Sequence, residues 1–138
     1  MSRVTVTGES IEVIAAKIAK EIPIQMASRA YRASNELRNS ALKVLSGPRS
    51  GRMYGGHQAS APGEPPATQS GTFRLAWQPR TVAGGTTFLS SIENGTFYAG
   101  WLENGTPGGQ MAPRPHHDRI QQDALPKIIR IYDEPYNV

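Results

Sequence analysis

Three stretches set the fold: Phe73-Arg74-Leu75-Ala76-Trp77-Gln78, then Thr86-Thr87-Phe88-Leu89-Ser90-Ser91-Ile92, then Phe97-Tyr98-Ala99-Gly100-Trp101-Leu102. In the first, Phe73, Leu75 and Trp77 alternate with Arg74, Ala76 and Gln78, and the other two are rich in aromatic and β-branched residues. Gly84-Gly85 and Asn94-Gly95 punctuate them, and an Asn-Gly pair suits a tight hairpin because both central residues need positive φ. The pattern predicts an antiparallel meander of three to four strands. Asn94-Gly95-Thr96 and Asn104-Gly105-Thr106 also match the glycosylation sequon, but with no secretory signal ahead of them both read as turns.

Downstream, Arg114-Pro115 precedes a polar amphipathic run with Ile120, Ala124 and Leu125, a break at Pro126, and Ile128-Ile129-Ile131. This predicts a C-terminal helix packed on the sheet, with Asp133 to Val138 trailing outside. Upstream, Arg49 to Gly71 is dense in glycine and proline and poor in large apolar residues, so it predicts a long extended arm. Ahead of the arm, Ile11, Ile14, Ile18 and Ile22 recur at helical spacing after the capping residue Ser10. Pro23 predicts a kink or break, since proline in a helix interior costs about 3 kcal/mol. A second stripe, Ala27, Ala30, Leu37, Ala41, Val44 and Leu45, runs to the stop signal Gly47-Pro48. Arg3 to Thr7 suggests a short strand before it all.

The expected class is therefore α+β, one domain over residues 1–138 with an arm at about 49–71. A hydrophobic content of 38%, with 14 glycines and 11 prolines, predicts a modest core. With no cysteine, disulfides, thiolate metal sites and cysteine nucleophiles are excluded. The first residues lack a basic region followed by a long apolar run, and no stretch is apolar enough to span a bilayer, so neither signal peptide nor membrane association is expected.

Chemistry would have to rest on three histidines. His116 and His117 adjoin Asp118, but consecutive helical positions point about 100° apart and lack the facing geometry of a zinc-protease helix. His57 lies near Ser60 and Glu64 in the arm, where nothing supplies a rigid nucleophile turn or an oxyanion hole. No phosphate-binding glycine motif occurs. A metal-dependent hydrolase built on His57, His116 and His117 is thus disfavoured, and neither enzyme activity nor a cofactor is expected. The net charge of +4, with Arg38, Lys43, Arg49 and Arg52 and no acid between Leu37 and Gly63, keeps a small nucleic-acid-binding protein as the alternative.

Three pieces in order resemble one family. The first is Ser50-Gly51-Arg52-Met53-Tyr54 with His57-Gln58-Ala59-Ser60-Ala61-Pro62-Gly63-Glu64-Pro65-Pro66-Ala67. The second is Tyr98-Ala99-Gly100-Trp101-Leu102-Glu103-Asn104-Gly105-Thr106, and the third is Met111-Ala112-Pro113-Arg114-Pro115. Together they resemble the small tail-component family of long-tailed bacteriophages, the head-tail joining, neck or tail completion proteins. The family's Arg-Pro is usually followed by an aromatic residue or leucine, where this chain has His116-His117.

The resemblance implies a structural virion protein at the neck or top of the tail, made and assembled in the host cytoplasm. It implies a six-fold ring of this chain between a head-completion or connector protein and the major tail tube protein. DNA would pass through the channel without sequence-specific binding. The candidate contact residues are Arg49, Arg52, Tyr54, His57, Pro62 and Glu64 in the arm, with Glu103, Thr106 and Arg114 in the second and third pieces.

Overall fold

The computed structural model describes residues 2–4, 10–68, 71–84 and 87–137. Helix α1 (Ile11–Val44) is followed by the short strands β1 (Met53–Tyr54) and β2 (His57–Gln58) and the helical turn α2 (Thr72–Leu75). Strands β3 (Trp77–Gly84) and β4 (Thr87–Asn94), then helices α3 (Ala99–Asn104) and α4 (His117–Tyr132), complete the α+β chain. The sheets are two separate antiparallel pairs, β1 with β2 and β3 with β4, the latter in register from Trp77 opposite Asn94 to Gly84 opposite Thr87.

α1 starts where Ser10 accepts the amide of Val13 at 3.2 Å and ends at Leu45, before Gly47-Pro48. It runs unbroken through Pro23, and α4 runs unbroken through Pro126, so neither expected break occurs. Both prolines lie on exposed faces, where the carbonyl that loses its amide partner can turn to water. The predicted strand at Arg3 to Thr7 falls largely outside the described residues.

The meander is corrected at both ends. Phe73 to Leu75 forms a helical turn, fastened because Arg74 Nε donates to Leu42 O at 3.1 Å on the last turn of α1 and to Ser46 Oγ at 2.6 Å just beyond it. The strand begins only at Trp77. The third predicted strand is helix α3: the Asn94 carboxamide accepts the Thr96 amide at 3.1 Å and turns the chain away from the sheet. What remains is a hairpin.

α1 packs on α4 and on both strands of that hairpin. Ala30, Ala33 and Ala41 on α1 and Ala124 on α4 are fully buried, and small side chains permit the close approach. Ser34 Oγ donates to Arg80 O at 2.9 Å and Ser90 Oγ to Ala30 O at 2.6 Å, so serines tie helix to hairpin. The core proper joins Ala41, Leu45, Trp77 and Ile120, with Val44, Phe73 and Ile92 against it. Among the described residues, Leu45, Trp77 and Ile120 are the only large apolar side chains that are buried. At about 1.5–3 kcal/mol per buried side chain, this is little core for a chain of such length.

The C-terminal tail does not trail outside. Arg29, only 4% exposed, donates to the carbonyls of Ile131 (3.2 Å), Tyr132 (3.0 Å), Glu134 (2.5 Å) and Pro135 (2.9 Å), with its guanidinium 3.7 Å from the Tyr136 ring centre. A cation on the last carbonyls of α4 suits the negative end of the helix dipole. Arg32 pairs with Glu134 at 2.6 Å and Gln25 with the Asn137 backbone, which folds the tail back along α1. No helix among the described residues is long and apolar enough to cross a membrane.

Candidate functional site

The arm is no loose extension. Gly51 N donates to Ala59 O and Ala59 N to Arg52 O, both at 2.9 Å, closing a hairpin around β1 and β2. Gly51 is required there, because a Cβ would lie 2.5 Å from the carbonyl oxygens of Ala59 and Ser60. Below the hairpin, Glu64 accepts the Ser50 hydroxyl at 2.5 Å and the amides of Ser50 and Ala61 at 3.1 and 3.0 Å. The Ser50 hydroxyl in particular holds the Glu64 carboxyl below the usual carboxylate range. Arg49 donates to Pro65 O at 2.7 Å, Pro66 O at 3.2 Å and Val44 O at 2.9 Å, joining the loop to the end of α1. Polar side chains thus perform the ordering that a core cannot, and Pro65 and Pro66 are buried beneath them.

The second and third pieces clasp each other. Arg114 N donates to Leu102 O at 2.7 Å, Thr106 N to Met111 O at 3.2 Å, and Met111 N to Thr106 Oγ1 at 2.9 Å. Gly105 sits between them at φ 82°, where a Cβ would come within 2.9 Å of Met111 O. The carboxylate of Glu103 accepts the amides of His116 at 2.8 Å and His117 at 3.3 Å, capping α4 from a neighbouring helix.

The first piece then lies on the third. Arg114 Nε donates to Ser60 Oγ at 2.8 Å, Gly63 N to Pro113 O at 3.2 Å, and Arg119 Nη2 to Gly63 O at 2.8 Å. Stretches up to some fifty residues apart in sequence therefore form one bonded surface, with a cavity of about 440 Å³ between arm and body lined in part by His57, Ser60, Tyr98, Leu102 and Arg114.

Of the nine predicted contact residues, five direct their polar groups inward: Arg49, Glu64, Glu103, Thr106 and Arg114. The other four sit on the arm. Arg52 and Tyr54 are exposed on the hairpin with the guanidinium 5.2 Å from the ring centre, His57 is half-buried opposite Tyr54, and Pro62 is exposed in the loop. The basic run is likewise mostly engaged: Arg38 donates to Trp77 O at 2.9 Å and Lys43 to Asp123 at 2.8 Å. Arg29 was invisible as a key residue, since a lone arginine on a helical pattern carries no sign of carbonyls a hundred positions away.

Glu103, His116 and His117 approach one another closely enough to be weighed as a metal-ligand set. His116 Nδ1 lies 2.8 Å from Arg114 O and 3.0 Å from Glu103 Oε2, two acceptors that place the proton on Nδ1 and leave it no lone pair for a cation. Its Nε2 is buried without a partner, and its ring meets Phe73 edge-on at 5.4 Å and Trp77 at 5.9 Å. Burial, above all, pushes the imidazole below its ordinary pKa of 6.5, against the opposing pull of the Arg114 carbonyl and Glu103. The arrangement is that of a helix cap beside a neutral aromatic ring.

On the far side of α3 lies a larger open groove, about 960 Å³, between α3, α4 and the β3–β4 hairpin. Trp77, Ile92, Ile120, Leu125 and Ile128 contribute its apolar lining. Comparison with protein-family models, with curated proteins and with solved structures finds no match.

Proposed function

We propose that this chain is a structural subunit of the neck of a long-tailed bacteriophage, a ring protein that completes the tail and joins it to the head. The observation that carries the reading is the convergence of the three pieces on which the family resemblance rests. Ser60, Leu102, Thr106 and Arg114 bond across pieces that are separate in sequence, as motif residues of one working surface would. His116 departs from the aromatic residue or leucine that the family pattern usually has after Arg-Pro, and its ring packs there against Phe73 and Trp77.

The small core points the same way. Phe97 (85% exposed), Trp101, Tyr54, Met53 and the isoleucines of the first half of α1 all face outward. Apolar surface on that scale marks an interaction face. A heterologous contact closes a ring when its rotation completes a full turn. In this reading the hairpin tip, Arg52 to His57, reaches a neighbouring protein, and the axial channel passes DNA without reading its bases. The partners are further copies, a head-completion or connector protein, and the tail tube protein.

Electron microscopy of virions carrying this chain with a small C-terminal tag tests the reading. Gold label at the junction of head and tail is expected; label spread along the tail or absent from intact particles would overturn it.

A further inference from the structure

Glu93-Asn94-Gly95-Thr96 and Glu103-Asn104-Gly105-Thr106 are one tetrapeptide written twice. An asparagine followed by glycine is a reactive pair, because no side chain on the glycine hinders attack of its amide nitrogen on the asparagine Cγ. In that attack the N–Cγ bond forms, and the carboxamide nitrogen leaves as ammonia with the proton of the glycine amide. A five-membered imide remains. Water then opens it, giving aspartate where the new N–Cγ bond breaks and isoaspartate where the original peptide bond breaks. Solvent water is the co-reactant, and nothing is oxidised or reduced.

The two copies share their immediate neighbours, so folding decides which one reacts. At Asn94 the leaving nitrogen donates to Phe73 O at 2.9 Å, and the carboxamide oxygen accepts the Thr96 amide at 3.1 Å and the Thr96 hydroxyl at 2.8 Å. Three bonds fix that carboxamide at the end of β4. Asn104 is exposed, and its carboxamide has no hydrogen-bond partner among the described residues. Its restraint is backbone alone: it is the last residue of α3, and Gly105 N donates to Trp101 O at 2.8 Å. That helix has six residues, none of them buried, and Trp101 and nearby Phe97 are exposed. A single terminal bond on so short and uncovered a helix opens at little cost, which frees the Gly105 nitrogen to turn toward Cγ.

We infer that Asn104 is a site of self-modification, converted through Gly105 to aspartate and isoaspartate, and that the fold protects Asn94 from the same reaction. The product falls on the clasp between the second and third pieces. Isoaspartate puts an extra methylene into the backbone directly before Gly105, where even an added Cβ would lie 2.9 Å from Met111 O. The bonds that follow, Thr106 N to Met111 O and Met111 N to Thr106 Oγ1, lose their register when the chain lengthens there. The modification therefore loosens the clasp, and it does so whatever the chain assembles with.

The purified chain is incubated at mildly alkaline pH and cut at aromatic residues, of which Phe97, Tyr98 and Trp101 lie between the two asparagines. Mass spectrometry with enzymatic methylation of isoaspartate then follows each site separately. Conversion at Asn104 should run on the order of tenfold faster than at Asn94, the effect of the additional hydrogen bonds that must break there. In guanidinium the two rates should agree, since the tetrapeptides are the same. The Thr106 and Met111 amides should lose hydrogen-exchange protection in step with conversion. Asn104→Gln, an exposed change that requires a larger ring, should abolish both effects. Equal rates in the folded chain, faster conversion at Asn94, or an Asn104 that stays intact while the unfolded chain converts would overturn the site. Conversion that leaves the Thr106 and Met111 amides protected would overturn the loosening of the clasp.

Discussion

Glu103 Oε2 accepts the backbone amide of His116 at 2.8 Å, so a carboxylate on the short helix α3 caps the long helix α4 thirteen residues further on. This bond joins the turn after the hairpin to the C-terminal helix, and the groove runs along the seam. Glu103→Ala should cost about 1–2 kcal/mol through the lost cap. Thermal melting should show a fall of several degrees, with Glu103→Gln losing less because its carbonyl still accepts.

His116 makes stability depend on pH with a definite sign. Burial lowers its folded-state pKa, so below its ordinary value of 6.5 the unfolded chain takes up a proton that the folded chain refuses. The stabilisation is complete above that value and declines as pH falls beneath it. Urea midpoints at pH 7.5 and 5.5 should differ for the native chain. His116→Phe, which keeps the aromatic contacts with Phe73 and Trp77 but gives up the Nδ1 donor to the Arg114 carbonyl, should reduce that difference.

Arg29→Ala should cost about 2–4 kcal/mol, since it strands the carbonyls of Ile131, Tyr132, Glu134 and Pro135. Hydrogen exchange gives the sharper readout. Amides of residues 133–137 should lose protection, while those of the β3–β4 hairpin change little.

Gly105→Ala should destabilise by about 1–3 kcal/mol, because the position needs φ 82° and its Cβ would press on Met111 O. Circular dichroism melting measures it, with Gly95→Ala, where a Cβ meets open space, as the neutral control.

The two long helices, strand β4 and the stop at Gly47-Pro48 were legible because each has a period or a terminator of its own, whereas the partner of β4 was expected at Phe73 to Gln78 and lies at Trp77–Gly84. The third stretch was not legible. Tyr98 to Leu102 is a short apolar run compatible with strand or helix, and the decision fell to Asn94, which turns the chain through Thr96 and is itself held by the distant Phe73 carbonyl that only tertiary structure supplies. The arm was misjudged for a related reason: apolar content alone predicts looseness, whereas Arg49 and Glu64 order the loop by hydrogen bonds to backbone that composition does not reveal. Glu103, Thr106 and Arg114 were singled out in the sequence, but their contacts inside the chain became visible only in three dimensions.

The most direct measurement is the number of copies of this chain per purified virion, by quantitative mass spectrometry against the major tail protein. A single ring's worth, a handful of copies against the many of the tube, is the predicted result. Absence from virions, or a number matching the tube protein, would contradict a ring at the neck.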